Sequence, residues 1–191
     1  IVDCFNGTAS HVFPEILNSF GCEATILKGQ MKEFISYEAT KTEARKAVEN
    51  IVKMTKINKE IGVIIDPHAS QITIVDETGN ILTDDDINSI LCLHSLKYKK
   101  VKNINIPITS SMVLEKLIQD NGGKAIRTST KLRSPEDFTD IFLSGKSGSY
   151  PYLEKQFDPM TTFIKIMEFL SLENSELYKI KEQLPKSNMI S

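Results

Sequence analysis

Gly145, Lys146 and Ser147 spell the end of a phosphate-cradling P-loop, in which backbone amides and a lysine hold nucleotide phosphates. That motif needs a glycine five positions earlier, where Asp140 stands, and a preceding strand, where residues 135–143 read as helix. The triplet is therefore not read as a P-loop. The basic run of Lys97, Lys99, Lys100 and Lys102 could meet a nucleic-acid backbone. No set of stacking aromatics and no second basic patch accompany it, so a solvated interdomain linker is expected instead. His11, His68 and His94 show no ligand spacing, and no Ser-His-Asp arrangement can be read from the order of residues. Cys4, Cys22 and Cys92 are odd in number and lack a CxxC pair, which argues against a disulfide framework or a structural zinc site. A reduced, cytoplasmic setting follows as the expectation.

The elements that position these residues belong to a soluble globular chain. Of 191 residues, 40% are hydrophobic and 25% charged, and the formal charge is −2. No overall positive field exists to hold nucleic acid, and no apolar run approaches the roughly 20 residues that span a bilayer. Neither nucleic acid nor membrane is expected as a partner. Strand and helix patterns alternate. Ile1–Cys4 is strand-like, His11–Phe20 helical up to Gly21, and Glu23–Leu27 a short strand. Tyr37–Ile57 is a long amphipathic helix with Ala44, Ala47, Val48, Ile51 and Val52 on one face. Ile61–Ile65 is an apolar run ending at Asp66, the pattern of a buried strand whose polar tip emerges at its C-terminal end. Gln71–Val75 alternates as another strand, residues 77–80 make a turn, and Thr83 caps a helix opening on Asp84, Asp85 and Asp86.

The pattern then restarts. Asn103–Ile108 is a strand, Ser110–Asp120 a helix closed by Gly122 and Gly123, and Lys124–Thr128 a strand. Ser134 caps a helix over Pro135–Leu143, residues 144–150 form a Gly/Ser-rich loop, and helices follow over Asp158–Leu170 and Ser175–Leu184. Repeated βα units imply an α/β fold: two small three-layer α/β/α domains with mixed, mostly parallel sheets, expected at residues 1–97 and 98–191. Residues 1–97 carry net −5 and residues 98–191 net +3, which suits two domains facing each other across a cleft. The start at Ile1 and Val2, without Met or polar lead-in, reads as the second half of a strand, as though cut from a longer protein.

From Ile61 to Leu82, an apolar strand ends in a tight loop and a second strand runs into Val75, Asp76, Glu77 and Gly79. This segment resembles the metal-binding domain of the α-D-phosphohexomutase superfamily, which includes phosphomannomutase and phosphoglucomutase. There the loop reads Asp-Pro/Gly-Asp-Ala/Gly-Asp-Arg, and three carboxylates hold one Mg²⁺. A hard cation takes oxygen ligands, and alternate residues of a tight loop can point at one centre. The likeness continues along the chain. Residues 2–7, Pro14–Leu17 and Gly21–Glu23 are similar to the opening of that family's second domain, and Ile108–Ser111 with Gly122–Thr128 to the opening of its third. Residues 144–148 fall where the family has the Gly-Glu-x-Ser-Gly loop that grips sugar hydroxyls, and Asp158, Ile166–Leu170 and Leu184–Pro185 match the ending. Thr8, Ala9, Ser10 and His11 resemble the family's phosphoserine loop but sit after the second-domain strand; they are read as a helix start, with Ser10 unphosphorylated.

On this resemblance the metal-loop positions are Asp66, His68 and Ser70, of which only Asp66 keeps a carboxylate, and Gln71 stands at the arginine position. The sugar-facing positions are Gly145, Lys146 and Ser147 together with Arg127, and Gly145 replaces the glutamate that grips neighbouring hydroxyls. Thr128–Lys131 loses the small turn residue of the family's Thr-x-Val-Gly. The Mg²⁺ that the family uses is thus expected to bind poorly. The family's phosphoserine belongs to a first domain and its phosphate loop to a fourth, neither of which is matched here, so no catalytic residue is assigned. The expectation is a fragment of a phosphohexomutase-like protein, catalytically degenerate, whose partners are the flanking domains of the same parent chain and a hexose phosphate. Attachment to a sugar-1-phosphate nucleotidyltransferase of the mannose-1-phosphate guanylyltransferase type is one implied context. The alternatives are an active Mg²⁺-dependent mutase with an altered loop, using Asp66 and His68, and a non-catalytic interaction or regulatory module.

Overall fold

The computed structural model describes residues 1–31, 37–128, 141–142 and 159–185. It divides into two compact units, Ile1–Leu82 and Thr83–Ser191. Among the described residues the fold is α/β, with six helices and two mostly parallel sheets. No helix among them is long and apolar enough to cross a membrane.

In the first unit, β1 (Val2–Asp3), β2 (Ile26–Leu27), β3 (Gly62–Ile65) and β4 (Ile72–Val75) form one sheet in the order β2-β1-β3-β4. The first three are parallel, and β4 returns antiparallel to β3, pairing Ile65 with Ile72 and Gly62 with Val75. Helix α1 (Ala9–Ser19) connects β1 to β2, and α2 (Tyr37–Asn58) connects β2 to β3. The two crossovers run in opposite directions along the sheet, so the right-handed rule puts α1 and α2 on opposite faces. All four residues of β3 are buried, which requires cover on both faces. On one face, Ala47 and Ile51 of α2 pack with Ile1, Phe5, Ile64 and Val75, flanked by Ala44, Val48 and Val52. This is the apolar stripe that the helical spacing predicts. Ile51 and Thr55 approach so closely that a Cβ on Gly62 would lie 2.3 Å from Ile51 Cγ2 and 2.6 Å from Thr55 Cγ2.

In the second unit, β5 (Asn103–Pro107), β6 (Lys124–Thr128) and β7 (Ile141–Phe142) form a parallel sheet in the order β6-β5-β7. Ile141 and Phe142 fall inside the helix expected over Pro135–Leu143, and the structure makes them a strand. They pair alongside Ile104 and Asn105 and cover the edge of β5 that β6 leaves open. A short apolar run fits either period, and the hydrogen-bonding edge decides. The rest of that expected helix lies outside the described residues.

Helix α3 (Asp84–Tyr98) packs against α4 (Met112–Asp120) and α5 (Pro159–Glu173), and α6 (Leu177–Gln183) follows. The compact units part at Leu82 and Thr83, so α3 falls in the second of them. Burial on most sides of α3, including Ile90, Leu91, Cys92 and His94, ties it to its neighbours. Its start carries a full capping box: the Thr83 hydroxyl accepts from Asp86 N, and the Asp86 carboxylate accepts from Thr83 N.

Candidate functional site

The metal-loop position lies at the C-terminal end of β3, where the chain leaves the sheet and returns along β4. Asp66 projects its carboxylate back into its own loop. Oδ1 accepts from Ser70 N at 2.6 Å and Gln71 N at 2.5 Å; Oδ2 accepts from the Ser70 hydroxyl at 2.9 Å and His68 N at 3.3 Å. The loop turns through Ala69, whose φ of +53° lies in the left-handed region, and Ala69 N donates to Asp66 O. Asp66 and Ser70 are thus brought together, but as acceptor and donor. His68 joins them only through its backbone amide, and its residue is exposed.

The loop after β1 closes against this one. Thr8 N donates to Pro67 O at 3.0 Å, and the Thr8 hydroxyl reaches the same oxygen at 3.3 Å. A Cβ on Gly7 would lie 2.4 Å from Pro67 Cα and 2.5 Å from Pro67 O, so only glycine permits this approach. Asp3, buried at the end of β1, accepts from Phe5 N and pairs with Lys28, whose ammonium also lies over the Phe5 ring. Ser10 is buried and donates to Gly7 O at 2.6 Å at the beginning of α1, in keeping with the helix-start reading of residues 8–11.

An Mg²⁺ site needs several oxygen ligands, usually with carboxylates among them. Here one carboxylate is present, its lone pairs face four loop donors, and no group of three or more His, Cys, Asp or Glu able to hold a metal occurs among the described residues. The residues do not fit the ion that the family's loop holds.

Arg127, expected from the resemblance to face sugar, lies at the end of β6 and is engaged within its own unit. Its Nε and Nη2 meet Glu115 of α4 at 3.0 and 2.8 Å, and Nη1 donates to the carbonyls of Ile108 and Ser110 at 2.8 and 3.1 Å. The guanidinium fork fastens the loop after β5 to the start of α4. Gly145, Lys146 and Ser147 lie outside the described residues, as do residues 129–131 of the altered turn.

One cluster had no clear sequence signal. The basic segment expected as a solvated linker begins as the last turn of α3, and the side chains of Lys97, Tyr98 and Lys99 are paired with α5. Lys97 Nζ and Tyr98 OH both donate to Glu173, and Lys99 Nζ reaches Glu168 at 3.1 Å. Glu168 also meets Lys165 at 2.8 Å and the fully buried His94 at 3.2 Å. Burial pushes the His94 pKa down against the opposing pull of Glu168, with Lys165 and Lys99 adding to the fall. Burial alone would raise Glu168, but hydrogen bonds from Lys165 and Lys99 outweigh it and bring its carboxyl down to about 2. The acids that meet the basic run lie some 70 residues away, beyond the reach of local pattern reading.

Known proteins share this architecture. No protein family model matches the chain. A probable phosphoglucosamine mutase of Methanopyrus kandleri is 28% identical over 130 residues, 67% of this chain and 28% of that protein. The phosphomannomutase/phosphoglucomutase of Pseudomonas syringae pv. tomato is 22% identical, and a phosphomannomutase of Methanocaldococcus jannaschii 24% identical, each over 97% of the chain. The crystal structure of a phosphoglucomutase/phosphomannomutase family protein from Burkholderia thailandensis superposes with a TM-score of 0.79 over 97% of the chain at 17% identity, covering 42% of that protein. A Thermus thermophilus structure described as a putative phosphomannomutase gives 0.76 over 96% at 15% identity, covering 44% of that chain. The fold is therefore that of the phosphoglucomutase-like α/β proteins. Over nearly its whole length the chain is similar in sequence to phosphomannomutases of the phosphohexomutase type. It spans less than half the length of these relatives.

Proposed function

We propose that the chain corresponds to the metal-loop and sugar-loop domains of a phosphohexomutase-like protein of carbohydrate metabolism, and that these domains no longer support phosphoryl transfer. Their role is structural or regulatory, with a hexose phosphate as the class of ligand and the remaining domains of the parent protein as partners. The observation that supports this most is the state of Asp66: the loop offers a single carboxylate, and the loop's own donors occupy it. Phosphoryl transfer depends on positioned positive charge at the transferring group, and loss of a principal electrophile lowers the rate by orders of magnitude. Asp66 and His68 alone make a poor replacement, since His68 approaches Asp66 only through its backbone.

A cytoplasmic location and attachment to a sugar-1-phosphate nucleotidyltransferase belong to the same proposal; sequencing the parent gene on both sides of the chain tests the second. The catalytic part is tested by a coupled mutase assay on the full-length parent protein with a hexose 1-phosphate, its bisphosphate activator and Mg²⁺. The expected result is no turnover above background. Robust, Mg²⁺-dependent turnover refutes the degenerate reading and restores the active mutase.

A further inference from the structure

We propose that Asp66 is a cation-independent staple, so that the loop over residues 66–71 holds its shape with no metal bound. This deepens the degenerate reading and rests on it for the contrast with a metal loop. Three carboxylates at alternate positions would repel one another, and such a loop needs a cation to draw them together. Ser70 changes the sign of that interaction. At a position where the resemblance implies a third acid, its hydroxyl and amide both donate to Asp66. Gln71 N and His68 N supply the remaining donors, and charge-assisted hydrogen bonds of this kind are among the stronger ones a loop can make.

The staple acts on a loop held from a second side. Pro67 is locked against Gly7 and Thr8 by backbone contact and by two hydrogen bonds to its carbonyl. A cation entering at Asp66 would have to displace donors already in place, within a loop whose backbone is fixed on its other flank. Both loops lie at the C-terminal ends of neighbouring parallel strands, and the two form one preformed surface at that end of the first sheet.

Thermal unfolding of the 191-residue chain, followed by circular dichroism in EDTA and in millimolar MgCl₂, tests the proposal. The wild-type Tm is expected to be the same in both. Asp66→Ala is expected to lower Tm by about 5 °C or more, equally with and without Mg²⁺. Asp66→Asn, which keeps one acceptor oxygen but adds donors, is expected to fall between them. If Asp66→Ala does not fold, the Asn variant and the wild-type pair decide. A wild-type Tm raised by Mg²⁺, or an Asp66→Ala variant as stable in EDTA as the wild type, overturns the staple. Mutase turnover in the parent with no Mg²⁺ effect on Tm would refute the functional proposal alone, so the two failures are separable.

Discussion

Replacing Gly7 by alanine would drive a methyl group into the backbone of the neighbouring loop. The added carbon would lie 2.4 Å from Pro67 Cα, 2.5 Å from Pro67 O and 2.7 Å from Pro67 C. Carbon atoms rest about 3.5–4 Å apart, so the loops after β1 and β3 must part by about 1 Å. All three obstructing atoms belong to the backbone, and no side-chain rotation relieves the clash. Overpacking of this kind costs about 1–3 kcal/mol. The separation also weakens the two hydrogen bonds from Thr8 to Pro67 O, each contributing about 1 kcal/mol. A total near 3–4 kcal/mol is expected for Gly7→Ala. Gly21→Ala provides the comparison: φ there is +72° and nothing lies within 4 Å of the new methyl, so only backbone strain of about 1–2 kcal/mol applies. Urea unfolding of the three proteins, compared at a common slope, measures both differences. A Gly7→Ala loss no larger than that of Gly21→Ala would refute the close approach of the two loops.

Three further outcomes follow from the second unit. Because the folded pKa of His94 lies below its unfolded value, the unfolded chain binds the extra proton. This contribution to stability is complete above about pH 6.5 and is lost as pH falls below it. Glu168, held at about 2, adds a second loss as pH falls below its ordinary value of 4.5. His94→Gln should flatten the upper part of this acid dependence in urea midpoints measured across pH, and an unchanged slope would count against the buried neutral histidine. Arg127→Ala should cost about 1–3 kcal/mol, and Arg127→Lys should fail to recover it, because one ammonium cannot serve Glu115 and two carbonyls together; equilibrium unfolding checks both. Thr83→Ala removes the hydroxyl half of the α3 capping box and should cost about 1 kcal/mol by the same measurement.

The strongly periodic elements were legible in the residues themselves. The apolar stripe of α2 and the continuous apolar run of β3 each answer to one local rule, and the structure places both as that rule requires. Ile141 and Phe142 were not legible, because a short apolar run suits helix or strand until a neighbouring edge claims it. The Lys97–Lys102 run read as a linker because its partners Glu168 and Glu173 lie far along the chain, and the same long-range packing carries α3 into the second unit. At the metal-loop position, sequence reading found Asp66 and its weakened surroundings. The direction of the carboxylate escaped it, since that depends on the backbone amides of residues 68, 70 and 71 turning inward through the left-handed Ala69. Arg127 was expected to face sugar, and its bonds to Glu115 and the 108–110 carbonyls follow from the β6–α4 packing, which no motif encodes.

The most direct test of the proposal that this loop binds no metal is a calorimetric titration of Mg²⁺ into the wild-type chain and Asp66→Ala. The structure predicts no saturable heat in the millimolar range for either protein. A one-site isotherm in the wild type that disappears in Asp66→Ala would contradict it.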